Sequence, residues 1–442
     1  MKILIGVHHF PPDRIGGAEL RAFDMAVWLI QNGHQVQVIT VRDVFDGEQN
    51  EIQFVDEVYE GINVRRLNIA LADSAERFEY LYDNPLIEKT FTDYLNDFSP
   101  HVFHLLSGYL LGAGVIRAAK SFGIPVAITL TDFWFICPRI NMLRPDGTAS
   151  EKEEFNAELC ASCMMEDKRR FRLLDKLVPG VMRPAARKLM VLPGELKIMV
   201  EKIENRYSTL LDILNKVDSW IFPSRNLMEV FEMRGLNKGR MKLIPHGINV
   251  ENLYCEPKKV KKPIRIGYLG QIESHKGVHI LIEAFRRAQK KHDISLSIYG
   301  SLSTNAGFRN LIQQRVNSTP QVHLHGKYIN DQLYKILENL DVVVIPSIWN
   351  EIGPLVLYEA LRSKVPVIAS NIPNMSNEIQ NGINGLLFEV GNVSELAKIF
   401  EYLADNPAKL EEMSRNIQPV RLFTEEMEAV QNEYFRITGN KK

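Results

Sequence analysis

The chain has 442 residues, 45% hydrophobic and 24% charged, with a net charge of −1. That is the composition of a soluble globular protein too long for one core, so two domains are expected and nucleic acid is excluded as a bulk partner. The opening MKILIGVHHFPP is too brief an apolar run for a signal peptide, and residues 101–116, broken by Ser107, Gly108, Gly112 and Gly114, fall short of a membrane span. Four cysteines without a secretory signal point to a reducing, cytoplasmic setting.

The first strand is KILIGV, followed by a glycine-rich turn and a helix from about Ala18 to Gln31, stopped by Asn32-Gly33. Strands follow at 35–40, 62–68, 101–107, 125–131 and 218–224, with helical patterns between most of them. Such alternation predicts parallel pairing with helices on both faces. Between Ser150 and Lys216 the rhythm gives way to a mostly helical insertion. Within it, residues 168–190 hold eight basic side chains against one acid, Asp175, with apolar residues interleaved. This suits a solvated cationic face on an ordinary subdomain first, and a helix on an anionic membrane surface second.

A polar, lysine-rich segment, 251–263, reads as the linker between residues 1–250 and a second domain over 264–418. There the pattern restarts with strands at 264–270, 295–300, 321–326, 341–347 and 366–370. Val278, Leu281, Ile282, Phe285 and Ala288 form one apolar helix face. In the tail, 419–442, Met427, Val430, Tyr434 and Ile437 form a stripe that must lie on the first domain or cap the second. The expected fold is α/β: two doubly wound Rossmann-like domains facing across a cleft, with a helical insertion in the first. Ligands in such sheets bind beyond the carboxyl ends of the strands.

Glu351 and Glu359 carry the first chemical signal, in NEIGPLVLYEALRS (350–363). The preceding strand delivers the chain to the sheet edge, Gly353 lets backbone approach a ligand, and Pro354 suits the first helical position. The N–H groups of Leu355, Val356 and Leu357 would then face outward with the positive end of the helix dipole, a site for phosphate. Glu359 lies about 7–8 Å along that helix, so the two carboxylates could take hydroxyls on either side of the anion. Acidic residues near a helix start are also favoured by the dipole alone.

The stretch PSIWNEIGPLVLYEALRSKVPVIAS (346–370) resembles the family-4, or group 1, retaining glycosyltransferases, which have the GT-B fold and an E-x7-E signature. The likeness extends to IGGAE (15–19), VDSWIFPS and PHGIN before the linker, and YLGQIESHKGVHILIEAF (268–285). It implies a nucleoside-diphosphate sugar held mainly by the second domain and an acceptor held mainly by the first. It further implies that Lys276 contacts the donor diphosphate, Glu359 the ribose and Glu351 the donor sugar. Gly326, Lys327 and Tyr328 would border the base, and Gly16-Gly17 would face the diphosphate. Gln271 stands where many members have arginine, and Thr131 where many have histidine before the retained Asp132.

The reaction implied is transfer with retention, in which a phosphate oxygen helps take the acceptor proton. Lys276 and the helix tip would stabilise the leaving group, with no metal or other cofactor demanded. The acceptor would be a glycan or lipid-linked sugar in surface polysaccharide, lipopolysaccharide or glycolipid synthesis. A non-catalytic nucleotide-sugar-binding subunit and a sugar-nucleotide epimerase are the alternatives. Cys137, Cys160 and Cys163 offer three thiols where a structural zinc wants four ligands, so reduced cysteines are expected.

Overall fold

Runs of Val, Ile and Leu bounded by glycine or polar turns become the buried strands of two parallel sheets, and the amphipathic segments between them become their covering helices. The computed structural model describes residues 1–144, 150, 153–165, 193–249, 256–257 and 259–439. Residues 168–190, with their two alternative readings, lie outside these. So do residues 251–255 and 258 of the expected linker.

Two units divide the chain: Met1–Ile244 with Met427–Lys442, and Pro245–Glu426. The first exchange between them therefore falls ahead of 251–263. The first unit comprises β1 (Lys2–Val7), α1 (Gly17–Gln31), β2 (Gln35–Asp46), β3 (Glu51–Tyr59) and β4 (Ile62–Leu71). It continues through α2 (Arg77–Tyr80), α3 (Pro85–Phe98), β5 (Val102–Leu106), α4 (Gly114–Ser121), β6 (Val126–Thr129), α5 (Ala157–Met165) and α6 (Pro193–Leu214). Then come β7 (Ser219–Phe222), α7 (Arg225–Met233) and β8 (Met241–Leu243).

Its sheet runs β3-β4-β2-β1-β5-β6-β7-β8. All the pairings are parallel but one: β3 and β4 form an antiparallel hairpin at the edge. That hairpin adds an antiparallel edge strand, β3, to the parallel pairing expected. Its turn, Glu60-Gly61, has positive φ at both residues (48° and 79°), the conformation that matches strand twist in a two-residue loop.

The second unit contains β9 (Ile264–Leu269), α8 (Val278–Ala288), β10 (Ile294–Tyr299), α9 (Ala306–Asn317), β11 (Val322–Gly326) and α10 (Asn330–Glu338). It goes on through β12 (Val342–Ile345), α11 (Leu355–Arg362), β13 (Val367–Ser370), α12 (Pro373–Glu378), β14 (Gly385–Phe388), α13 (Val393–Asp405) and α14 (Pro407–Asn416). The sheet order is β11-β10-β9-β12-β13-β14, parallel throughout.

Alternation along the strands builds a core on each face. Ile264, Ile266, Val342 and Val344 pack with α8 and α13, while Leu269, Val343 and Ile345 pack with α10 and α11. The last helix, α15 (Phe423–Thr438), buries Met427, Val430 and Tyr434. The Tyr434 hydroxyl lies 2.5 Å from Nδ1 of His104 on β5. Among the described residues no helix is long and apolar enough to cross a membrane.

Candidate active site

In the second unit β9 connects through α8 to β10 on one side, whereas its other neighbour in the sheet, β12, connects through α11 to β13 on the opposite side. The loops leaving these two strands therefore diverge, which opens the crevice where doubly wound sheets take ligands. Lys276 ends a single 3-10 turn after β9, and Glu351 lies in the loop after β12. The two loops are held together by backbone. Ile348 N–H donates to the His275 carbonyl at 2.9 Å. Gly277, at φ +73°, packs so closely that a Cβ would come within 1.8 Å of the Pro346 carbonyl oxygen.

This junction sets Lys276 Nζ at 2.7 and 2.9 Å from the two carboxylate oxygens of Glu351. Glu351 is 4% exposed. Its Oε1 also accepts from Ser347 Oγ at 2.6 Å and Trp349 Nε1 at 2.9 Å, and its carbonyl accepts from the Asn374 amide. Burial would push this carboxyl up, but the charge and hydrogen bond of Lys276, with those of Ser347 and Trp349, outweigh it and hold the group below the ordinary range. The ammonium also lies 5.1 Å from the centre of the Trp349 ring. His275 packs edge-on against the same ring, and burial and then the Lys276 charge push its pKa down.

Pro354 is the N-cap of α11, in extended conformation, and Leu355 is the first helical residue. This corrects the placement of Pro354 at the first helical position. Leu357 N–H is taken by the Pro354 carbonyl at 3.0 Å, which leaves the tip to Leu355 and Val356. Gly353 precedes it at φ +102°. Further along α11, half-buried Glu359 lies close enough to Tyr328 that its charge adds to burial in raising the phenol. Tyr328 meets Tyr299 edge-on at 6.4 Å, and Tyr299 stacks on His325 at 4.3 Å. Lys327 and Gln271 are exposed, and the Gln271 carbonyl accepts from the Tyr268 hydroxyl at 2.7 Å.

Thus the structure pairs Lys276 with Glu351 and brings the charge of Glu359 within electrostatic reach of Tyr328. Asp132, Gly16 and Gly17 belong to the first unit. Gly16 caps α1 in extended conformation, and a Cβ there would meet Glu19 Oε2 at 2.6 Å; nothing lies within 4 Å of a Cβ at Gly17. Asp132, following β6, accepts from Ser107 Oγ at 2.5 Å and Trp134 N–H at 2.8 Å, and burial raises its carboxyl pKa despite both bonds. Thr131 Oγ1 is buried with no hydrogen-bond partner among the described residues. Cys137, Cys160 and Cys163 are unbridged, and burial raises the first two thiols.

Sequence reasoning missed Ser347, Trp349 and Asn374 around Glu351. The first two lie within the motif itself, whereas Asn374 arrives from α12 and left no local signal. It also missed His8 and Glu19, whose Nε2 and Oε1 lie 3.3 Å apart.

Two family models match: "Glycosyl transferases group 1" over residues 251–419 and "Glycosyl transferase 4-like domain" over 16–155. Among curated proteins, the capsular polysaccharide biosynthesis glycosyltransferase CapM of Staphylococcus aureus is 27% identical over 184 residues, 40% of this chain and 48% of that protein. The chain spans under half the length of the curated relatives it matches.

Of solved structures, Anabaena HepE in complex with UDP superposes with a TM-score of 0.66 at 15% identity, covering 98% of this chain and 99% of that one. Sucrose-phosphate synthase from Thermosynechococcus elongatus gives 0.65 at 16%, covering all of both. With most of both sheets inside the two matched segments, the chain belongs to the group 1, or family-4, glycosyltransferases and is built of the paired doubly wound units of the GT-B fold.

Proposed function

We propose that this protein moves a sugar, with retention of configuration, from a nucleoside-diphosphate sugar to an acceptor hydroxyl. The observation that carries this reading is the pairing of Lys276 with the buried Glu351 at the β9/β12 crevice, next to the tip of α11. An ammonium has three N–H donors. Two face Glu351, so a third is available for a diphosphate oxygen that also meets the N–H groups of Leu355 and Val356.

In the transfer the C1–O bond to the diphosphate breaks, and its electron pair stays on the phosphate oxygen that Lys276 and the helix tip stabilise. The acceptor oxygen bonds to C1 on the same face, and its proton passes to that phosphate oxygen. Glu351 fixes the sugar. Asn350 lies next to it, 3% exposed, with both side-chain polar atoms unpartnered among the described residues, a feature that fits hydroxyl recognition. Glu359 holds the ribose beside Tyr328, with the base near Gly326, Lys327 and Tyr328; Gln271 and Gly353 border the diphosphate and sugar. Gly16 and Gly17 face the diphosphate, and Thr131 or Asp132 takes a sugar hydroxyl.

The HepE structures are described as complexes with UDP, with UDP and glucose, and with UDP-glucose, so uridine donors are the first to test. The names of CapM and of the lipopolysaccharide outer core galactosyltransferase WaaB support a surface glycan or its lipid-linked precursor as acceptor. The basic composition of 168–190 supports attachment to an anionic membrane, read by flotation with anionic against neutral liposomes.

The deciding experiment is a screen of nucleoside diphosphates and their sugars by thermal shift and turnover. A ligand at 100 times its Kd adds about 2.7 kcal/mol of stability. Glu351→Ala and Lys276→Ala are expected to lose at least ~100-fold in turnover. Unchanged turnover in both defeats the proposal.

A further inference from the structure

The first unit has a switch point of its own, the place where doubly wound sheets form a ligand crevice. Its sheet order reverses between β1 and β5, so the loops leaving these neighbouring strands part there. His8 follows β1, Ser107 and Tyr109 follow β5, and Asp132 follows β6. We propose that His8 receives a substrate hydroxyl on Nδ1 at this crevice, with Glu19 as its positioning residue. The inference rests on the glycosyl-transfer reading, and the ligand class is a neutral, polyhydroxylated acceptor.

Glu19 comes from the first turn of α1 and lies 3.3 Å from His8 Nε2, with the two side chains 11% and 15% exposed. It reaches there because Gly16 carries no Cβ to block its carboxylate. Burial opposes ionisation of Glu19, yet the hydrogen bond with His8 holds its carboxyl below the usual range. An ionised carboxylate only accepts, so Nε2 carries a hydrogen, and in the neutral ring Nδ1 then presents its lone pair.

That Nδ1 is buried and has no hydrogen-bond partner among the described residues. The neighbouring His9 is different, because its Nδ1 lies 2.7 Å from the Val41 carbonyl. An acceptor left in this state calls for a donor, and a hydroxyl supplies one where a deprotonated phosphate does not. The Tyr109 ring, 5.7 Å from the imidazole, walls the same spot.

Imidazole 15N spectra of the histidine-labelled chain test this, with H8L providing the His8 assignment. In its neutral form His8 is expected as the Nε2–H tautomer. Methyl α-D-glucopyranoside or methyl α-D-mannopyranoside, added with UDP, should move its Nδ1 resonance saturably. H8L should weaken glycoside binding about 10- to 100-fold. H8N, whose amide oxygen can stand near Nδ1, should restore part of it, and E19Q should weaken it while mixing the tautomers. The Kd for UDP should stay within about twofold throughout. A His8 found as Nδ1–H, or a Nδ1 resonance unmoved by both glycosides, overturns the inference. Failure of the chain to bind any nucleoside diphosphate would instead sink the glycosyl-transfer reading, while the tautomer would still report on His8.

Discussion

Lys276→Met is the most informative single change. It removes the cation from a carboxylate whose side chain is 5% exposed, whereas the lysine itself is 23% exposed. Breaking a buried pair by deleting one partner costs roughly 3–5 kcal/mol, because the survivor stays buried and charged. The reverse change, Glu351→Gln, strands a lysine that can still reach water, so about 1–3 kcal/mol is expected. The order of the two is the prediction. In the double variant Lys276→Met with Glu351→Gln no charge is left, so the loss should fall short of the two singles added together by some 2–3 kcal/mol.

The sign of the pH dependence follows. In the folded wild type Glu351 ionises more readily than in the unfolded chain, where its pKa is about 4.3. Its stabilising contribution is therefore complete above that value and lost as pH falls through the lower folded one. Without Lys276, burial dominates and the folded pKa rises above the unfolded value. The penalty in Lys276→Met then exists above that raised pKa and disappears as pH falls through it. The gap between wild type and variant should be widest near neutrality and close towards pH 4.

Trp349 is the one tryptophan within 245–426, so 19F NMR of 5-fluorotryptophan-labelled chain follows unfolding of that unit alone in urea. Additive losses, or a gap that does not change with pH, would show that Lys276 and Glu351 do not form the coupled pair.

Three further changes probe the frame around the sites. Gly277→Ala places a methyl group against the Pro346 carbonyl oxygen at a positive φ, so neither rotamer nor backbone offers relief. At least about 3 kcal/mol of destabilisation by urea titration is expected, with loss of nucleotide binding. Gly353→Ala meets only ordinary contacts, at 3.7 Å from His246 and 3.9 Å from Tyr358. Its cost should be the φ strain of about 1–2 kcal/mol, with a larger relative loss in donor affinity by calorimetry. Tyr434→Phe removes the hydroxyl beside His104 Nδ1 in a buried site, and about 1–3 kcal/mol should be lost from the first unit, read by amide exchange in β5.

The two sheets were legible because their strands are short apolar runs punctuated by glycine, proline and polar turns. IRIGYL and VVVI are buried nearly throughout and carry that signal unmixed. The edge hairpin escaped because β3, EIQFVDEVY, is mostly exposed and mixes acids with its apolar residues. Its Glu60-Gly61 turn was the available signal.

Of the site, Glu351 and Glu359 stood out because their framing fixes a strand-to-helix junction within a dozen residues. The salt bridge did not stand out. Lys276 and Glu351 are 75 positions apart, and only the β9/β12 pairing brings their loops together. His8 and Glu19 sat within reach in sequence, but nothing local marks the carboxylate as folding back over Gly16.

The Lys276–Glu351 pair is also hard to explain as a stabilising device. Replacing a buried ion pair by apolar residues of similar size is often neutral or stabilising by about 1–4 kcal/mol. Lys276→Met with Glu351→Leu should therefore give a folded second unit at least as stable as the wild type, since the Trp349 ring lies nearby to pack against. Yet under the proposed transfer the same variant lacks the cation for the leaving diphosphate and the carboxylate for a sugar hydroxyl. It should lose turnover and nucleoside-diphosphate binding together, by ~100-fold or more in turnover. A variant that is stable and inactive separates the pair's chemistry from its packing. A variant that is unfolded would instead mean that the pair holds the β9 and β12 loops in place, and its charges would then count as architecture.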